Sequence, residues 1–463
     1  MELKAIVPIL VTLSILINSF CHLGRSNLAF SVLSKILKLG YEPDTITLNT
    51  LMKGLCLKGN VKKALQFHDN LLRQGYQLDQ VTYGTLINGL CKVGETRAAI
   101  KLLRKIDGTL TTPNLVMYNT LIDGLYKHKL VHDACTLFSE MCGRRMSPDA
   151  VTYNTLIYGF SILGQLKEAI GLLNEMTLKT INPTIYTYNT LVDAFCKEGK
   201  TNEAKTVLVV MLKAWLKPDV ITCNTLMDGY LLVDGVKNSI KNTEHVFNAM
   251  SLMGVTHNVV TYNIMINGLC KMRRVDEAIE LYKEMQQKDV IPNTVTGNCL
   301  VDGLCKSGRI SDARHLINDM KHADAITYNC LIRSLCKIGH LDEAIAEVNK
   351  MKDEGIGWDK YTLNTIIDGM CKGDRFKDAQ ELFQDLFIKG YHRDVTTYNI
   401  IIQGHCKEGL LDEALTMLAM MEKDGCIPNA ITYEILIVAC FEKNENDKAV
   451  ELIDEMNAKG LLY

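Results

Sequence analysis

The tripeptide Thr-Tyr-Asn recurs along this chain at a fixed interval, and that interval constrains the fold more than any other feature. It opens copies at Thr152–Asn154, Thr187–Asn189, Thr261–Asn263, Thr327–Asn329 and Thr397–Asn399. Asn119, Asn154, Asn189 and Asn224 stand 35 residues apart, as do Asn329, Asn364 and Asn399, and Cys21, Cys56 and Cys91. A second signature follows each opening, such as Glu277-Ala278 with Leu281 and Met285, or Glu413-Ala414 with Leu418 and Met421. A period of this size means one supersecondary unit per repeat, stacked on its neighbours. It overrides the prior of about three globular domains, at roughly 150 residues each, that a length of 463 suggests.

Position 1 of the repeat is set two residues before the Thr, so that Asn is position 5 and position 35 usually follows a Pro. The run Tyr-Asn-Thr-Leu-Ile-x-Gly-Leu-Cys-Lys has apolar residues at helical spacing, and Thr at position 3 is a suitable N-cap. Gly at position 15 (Gly24, Gly59, Gly94, Gly164, Gly199, Gly308, Gly339, Gly409) suits the left-handed residue that ends a helix. Helix A is therefore short, about three turns. In helix B one position holds Ala169, Ala204, Ala278, Ala313, Ala344, Ala379, Ala414 and Ala449, small enough for close approach to helix A. Gly40, Gly75, Gly355, Gly390, Gly425 and Gly460 end helix B, and Pro43, Pro148, Pro183, Pro218, Pro292 or Pro428 prevents its continuation.

The expected fold is thus all-α, an α-solenoid of about 13 helix-turn-helix repeats. The frame places them at 10–44, 45–79, 80–114, 115–149, 150–184, 185–219, 220–258, 259–293, 294–324, 325–359, 360–394, 395–429 and 430–463. Repeat 220–258 carries four extra residues, expected near Val236 to Asn242. Repeat 294–324 lacks four, leaving the tight link Met320 to Asp324. Leu10 to Ile17 falls on the VVTYNTLI frame, so the apolar start reads as a repeat and not as a signal peptide, which it is also too short to extend into a membrane span. Residues 1–9 read as the tail of a preceding repeat, with the expectation that the chain begins inside a longer array. No Arg- and Ser-rich targeting segment stands there.

Formal net charge is −2, which does not exclude nucleic acid, because what matters is whether Lys and Arg gather on one face. Of 16 cysteines, Cys21, Cys56, Cys91, Cys196, Cys270, Cys305, Cys336, Cys371 and Cys406 share one repeat position inside an apolar run. They read as small buried hydrophobes at a helix–helix contact. No CxxC pair exists, which argues against zinc and a disulfide framework and suggests a reducing compartment.

The 35-residue helical pair with VxTYNxLIxGLCKxG and EAxxLxxEMxxxGxxPD resembles the pentatricopeptide repeat family, in its plain P class. The uniform GLCK wording and the repeats one turn short or long resemble the plant subgroup of restorer-of-fertility proteins. The resemblance covers about residues 10–463. It implies a right-handed superhelix and a partner, single-stranded RNA, read one base per repeat. Positions 5 and 35 meet the base edge, and position 2 of successive repeats sandwiches the ring. In the family's code Asn at position 5 selects pyrimidines and Ser or Thr selects purines. A carboxylate at position 35 only accepts hydrogen bonds and favours uracil or guanine, whereas Asn also donates and allows cytosine or adenine.

Carried onto this chain, Ser14 with Asp44 implies G, and Asn49 with Asp79 implies U. Gly84 with Asn114 is left unread. Asn119 with Asp149 implies U, Asn154 with Thr184 a pyrimidine, and Asn189 with Asp219 U. Asn224 with Asn258 and Asn263 with Asn293 imply C. Asn298 with Asp324, Asn329 with Asp359 and Asn364 with Asp394 imply U, and Asn399 with Asn429 implies C. Glu434 departs from the pattern. The implied target is 5′-GUNUYUCCUUUC-3′.

The sandwich positions are Val11, Ile46, Val81, Val116, Val151, Tyr186, Ile221, Val260, Val295, Ile326, Tyr361, Thr396 and Ile431, with Tyr186 and Tyr361 expected to stack best. Their competing explanation is packing between repeats. For positions 5 and 35 the competing explanation is service to the backbone at a helix start. Lys92, Lys127, Lys197, Lys271, Lys306, Lys337, Lys372 and Lys407 fall at position 13 and would line one face as a phosphate track. The alternative there is a cation at a helix C-terminus.

No HxE with a later CxxC and no GxxxxGK[ST] appears, and aspartates such as Asp324 and Asp359 are too regularly spaced to form one metal site. The reading is a binding protein, not an enzyme, without cofactor, metal, membrane or small-molecule substrate. It acts on organellar transcripts, mitochondrial by resemblance with chloroplast as the alternative, beside a separate nuclease or other processing proteins. The alternatives are a protein-interaction solenoid of tetratricopeptide type and a truncated copy without a role. A peptide groove has no reason for both the Asn/Asp pairs and the Lys line at fixed positions.

Overall fold

The computed structural model describes residues 8–106, 111–233, 239–320, 323–373, 375–388 and 393–461. Among them the chain forms twenty-six helices, numbered in order from α1 (Leu10–His22) and α2 (Ser26–Lys38) to α25 (Ala430–Glu442) and α26 (Asn446–Ala458). Odd-numbered helices are the A helices, and every one occupies positions 1–13 of its repeat.

That start corrects the expected cap. The N-cap is position 35 of the preceding repeat, not Thr at position 3. Asp44, Asp79, Asp149, Asp219, Asp324, Asp359 and Asp394 each accept the backbone N–H of the Thr three residues on, and Asn114, Asn258, Asn293 and Asn429 do the same for their N3 residue. The Thr closes the reciprocal half of a capping box in many repeats, as where the Asp149 N–H meets the Thr152 hydroxyl at 3.3 Å. An aspartate or asparagine before a helix is the stronger signal, because its short side chain reaches N3 from an extended residue.

Packing follows the repeat. Ala169, Ala204, Ala278, Ala313, Ala344, Ala379, Ala414 and Ala449 are wholly buried. Within each of the two compact units described below, successive A helices lie along one another, and most B helices lean on their own A helix and on the following one. Tyr at position 4 is buried, and in several repeats its hydroxyl donates to the Glu of the EM pair in the same repeat: Tyr118 to Glu140 (3.0 Å), Tyr153 to Glu175 (2.9 Å), Tyr433 to Glu455 (2.8 Å). This tie satisfies a phenol that burial would otherwise leave unpaired.

The cysteines seat the A helices on one another. A Cβ placed on Gly54, Gly89, Gly124, Gly229, Gly303, Gly369 or Gly404 would come within 2.2–2.9 Å of the position-12 cysteine sulfur one repeat earlier. Burial pushes the thiol pKa up to about 11 at Cys56, Cys91, Cys336 and Cys406 and up to about 12 at Cys196, Cys270, Cys305 and Cys371. They remain protonated and apolar at neutral pH.

The expected glycines end the helices with positive φ, from 68° at Gly460 to 85° at Gly75. Gly390 lies outside the described residues. Thr180 holds the same place with φ of 58°, a conformation that costs a β-branched residue on the order of 1–2 kcal/mol. Thr180→Gly is expected to raise stability by about 1 kcal/mol, the strain relieved less the added chain entropy. Urea denaturation checks this, and an unchanged or lower midpoint would show the turn is not strained.

In repeat 294–324 the B helix (Ile310–Asp319) stops early. Gly297 takes the usual Tyr place, and a Cβ there would meet Met320 Cε at 2.2 Å, so Met320 fills the space. Lys321 and His322 of the expected link lie outside the described residues, as do Val236 to Asn238 of the expected insertion and residues 1–7 of the expected preceding tail. The B helix of repeat 220–258 begins at Ser239. The chain divides there into two compact units, residues 1–234 and 235–463.

Candidate nucleic-acid interface

Helix start and helix stacking together create a polar ladder. Asn at position 5 sits one turn into helix A, level with the N-cap of the next helix A. Asn49 Nδ2 donates to Asp79 Oδ1 at 3.2 Å, Asn189 to Asp219 at 3.2 Å, Asn298 to Asp324 at 3.2 Å and Asn329 to Asp359 at 3.3 Å. Asn119 reaches Asp149 at 3.5 Å. With asparagine at position 35 the pair persists: Asn263 to Asn293 at 3.2 Å and Asn399 to Asn429 at 3.4 Å.

The Thr of the next repeat orients the amide. Its hydroxyl lies 2.6 Å from Oδ1 of Asn49, Asn154, Asn189 and Asn263, 2.7 Å from that of Asn329 and Asn399, and 2.8 Å from that of Asn364. Ser14 meets Thr47 in the same way at 2.7 Å. Thr therefore bridges repeats, a role hidden in the sequence because it looked like a cap. Thr184 caps more loosely, 3.4 Å from the Thr187 N–H. Asn114 gives its amide to Gln80 at 2.9 Å, and Gly84 opposite is open space.

The competing explanation of position 35 is met, since the residue caps a helix, and the same residue also faces the Asn. The capping bonds run to Oδ1, so the other terminal atom, Oδ2 of Asp or Nδ2 of Asn, takes no part in the cap. Burial alone would raise the Asp79, Asp219, Asp359 and Asp394 carboxyls. The Thr N–H and hydroxyl and the Asn amide outweigh it and hold all four below the ordinary value of 3.8. A depressed folded pKa contributes stability that is complete above the unfolded value and lost as pH falls through the folded one. The denaturation midpoint is therefore expected to stay level from pH 7 to about 4 and fall below that. Replacing these aspartates with asparagine should flatten the acid limb, and an unaltered limb would show that other carboxyls govern it.

Beside the ladder stand the position-2 side chains, all exposed, from 48% at Val260 and Tyr361 to 73% at Ile46. Packing between repeats does not account for them. Two cavities open between them. One of about 600 Å³ is lined by Tyr361, Thr396, Asn364 and Asp394 with Arg333, Lys337, Lys360 and Lys372. Another of about 440 Å³ is lined by Val151, Tyr186, Asn154 and Lys127.

The lysine line borders these cavities but is not uniform. Lys127, Lys197, Lys306 and Lys372 are paired one turn back with Asp123, Asp193, Asp302 and Asp368 at 2.6–2.7 Å. Lys407 donates to the Lys372 carbonyl at 2.8 Å. Lys92, Lys271 and Lys337 make no ion pair among the described residues. Position 9 thus decides how much cation is presented, which the sequence reading missed although the Asp-to-Lys spacing of four was visible.

Profiles described as PPR repeat family match residues 8–57, 43–92, 113–162, 148–197, 183–231, 257–306, 323–372 and 393–442, and the PPR repeat profile matches 81–108, 295–324, 361–391 and 431–461. The chain belongs to the PPR repeat family. A mitochondrial pentatricopeptide repeat-containing protein of Arabidopsis thaliana is 60% identical over 43 residues, 9% of the PPR chain and 7% of that protein. A putative mitochondrial one from the same plant is 51% identical over 45 residues, 10% and 8% of the two chains. These matches span under a tenth of each relative. Among solved structures, the pentatricopeptide repeat protein PPR10 from maize superposes with a TM-score of 0.62 at 22% identity, covering 99% of the PPR chain and 75% of that one. The likeness is one of fold, the α-solenoid of stacked helical hairpins.

Proposed function

We propose that this PPR chain binds single-stranded RNA by sequence, one base per repeat, and acts by occupying transcripts. The observation that carries this is the ladder: an oriented Asn and a capping Asp or Asn meet in seven repeats, next to an exposed, mostly apolar wall. PPR repeats as a class read RNA through two or three side chains per repeat.

The chemistry of each step follows from the cap. Once Oδ1 is spent on the helix start and the Asn amide, Asp presents the lone pairs of Oδ2, which suit the N3–H of uracil. Asn presents Nδ2–H, which suits the N3 of cytosine. Position-2 residues would cover the two ring faces. Repeats one to six then read 5′-GUNUYU-3′ and repeats eight to twelve 5′-CUUUC-3′. With C for repeat 220–258 the site is 5′-GUNUYUCCUUUC-3′, N to C terminus along 5′ to 3′. The names of the Arabidopsis relatives support mitochondria as the compartment, and a nuclease or other processing protein would supply any cleavage.

Titration of the chain with labelled 5′-GUAUUUCCUUUC-3′, its reverse complement and a scrambled pyrimidine strand at fixed salt tests the proposal. Selective binding of the first is expected. Equal binding of all three would leave only electrostatic attraction, and no binding by a folded chain would favour a protein-interaction scaffold. Lys337→Ala is expected to weaken all RNAs alike and lower the salt slope by about 0.7, the value for one phosphate on a single strand. Lys306→Ala should do less, because Asp302 already neutralises that lysine. A sequence-selective loss would argue against phosphate contact.

A further inference from the structure

Position 9 is aspartate in five repeats, but in repeat 325–359 it is Arg333, on the helix Ala325–Lys337. Its guanidinium spans three successive A helices. Nη2 donates to Asp302 Oδ1 at 3.0 Å on the helix before, and Nη1 donates to the Tyr361 hydroxyl at 3.0 Å on the helix after. Asp302 is held in turn by Lys306 at 2.6 Å. Tyr361 is half exposed and lines the cavity of about 600 Å³ on the ladder face, together with Thr396, Asn364 and Asp394.

Tyr186, the other aromatic at position 2, lacks this arrangement. The residue at position 9 before it is Tyr158, which lines the cavity beside Tyr186, and among the described residues no hydrogen bond holds the Tyr186 hydroxyl. An exposed ring must lose rotamer freedom when a base stacks on it, and a ring already held loses less. The planar fork of arginine suits such a double hold, whereas a lysine offers only a point charge.

We propose that Arg333 is a positioning residue, which fixes Tyr361 as a preformed stacking wall and makes the slot of repeat 360–394 the principal single-nucleotide anchor of residues 235–463. The proposal rests on the RNA reading above and deepens it. Arg333 acts through the phenol, and any phosphate contact is left to Lys337 and Lys372.

The test is a double-mutant cycle with Arg333→Met and Tyr361→Phe, each variant titrated with 5′-GUAUUUCCUUUC-3′ at several salt concentrations and checked for an unchanged melting midpoint. Arg333→Met is expected to weaken binding about fivefold, roughly the ordering cost of one ring, with the salt slope unchanged. Tyr361→Phe keeps the ring and loses the hold, so it should show a similar loss, and the double variant should be no weaker than either. Additive losses, a salt slope reduced by about 0.7, or undiminished binding by Arg333→Met would each overturn the positioning role. Failure of the folded wild-type chain to bind any RNA would instead remove the RNA reading beneath it, so the two failures are separable.

Discussion

Gly303→Ala is expected to destabilise residues 235–463 by about 1–3 kcal/mol, the usual cost of forcing a methyl into a closed contact. A Cβ at that position would lie 2.4 Å from Cys270 Sγ, 2.7 Å from its Cβ and 3.6 Å from its Cα. The sulfur could rotate away, but the Cβ and the backbone behind it cannot, so the helices Val259–Lys271 and Thr294–Lys306 must part. Cys270→Ala in the same chain should therefore recover only part of the loss. The cost extends beyond packing, because the same two helices carry the Thr296 to Asn263 bond of 2.6 Å. Parting them loosens one rung of the ladder, and RNA affinity should fall with stability. Urea denaturation of the two single variants and the double checks this. A Gly303→Ala chain as stable as wild type would show that the A helices are not in close contact there.

The second large effect is on specificity without stability. Asp359→Asn should turn the preference at the nucleotide facing repeat 325–359 from U toward C by about tenfold, roughly 1–2 kcal/mol for one hydrogen bond made against one donor or acceptor left unpaired. Asparagine caps a helix as well as aspartate does, so the bond from the Thr362 N–H, now 2.7 Å to Asp359 Oδ1, survives the change. Only the second terminal atom changes, from an acceptor that the Asn329 amide reaches at 3.5 Å to a donor. Competition between 12-mers carrying U or C at that one place measures the shift. An unchanged preference would sink the assignment of Asp359 to base reading, while its cap would still stand. Asp359→Ala separates the two roles, since it removes the cap, at about 1 kcal/mol, together with the discrimination.

Much of this architecture was legible in the residues. The 35-residue period and the apolar spacing of the GLCK run set thirteen hairpins, and the glycines at positions 15 and 31 marked their turns, because only glycine enters the left-handed region without strain. The nine cysteines read correctly as small packing residues. What misled was Thr at position 3. It has the chemistry of a cap, yet the helix begins two residues earlier, and the neighbouring Asp is the better acceptor at the right distance from N3.

The sequence by itself determined the repeat, its two helices and which polar positions recur without need for packing. Tertiary structure decided what those positions do together. The bond from Asn49 to Asp79 joins residues 30 apart, and the bond from Thr82 back to Asn49 joins residues 33 apart. Neither distance is a helical spacing, so no periodicity in the chain announces them. They exist because a glycine facing a cysteine lets successive A helices lie close, which brings the first turn of one against the cap of the next. The same stacking decided which tyrosine is held by Arg333, since that hold depends on a neighbour that only the packed array supplies.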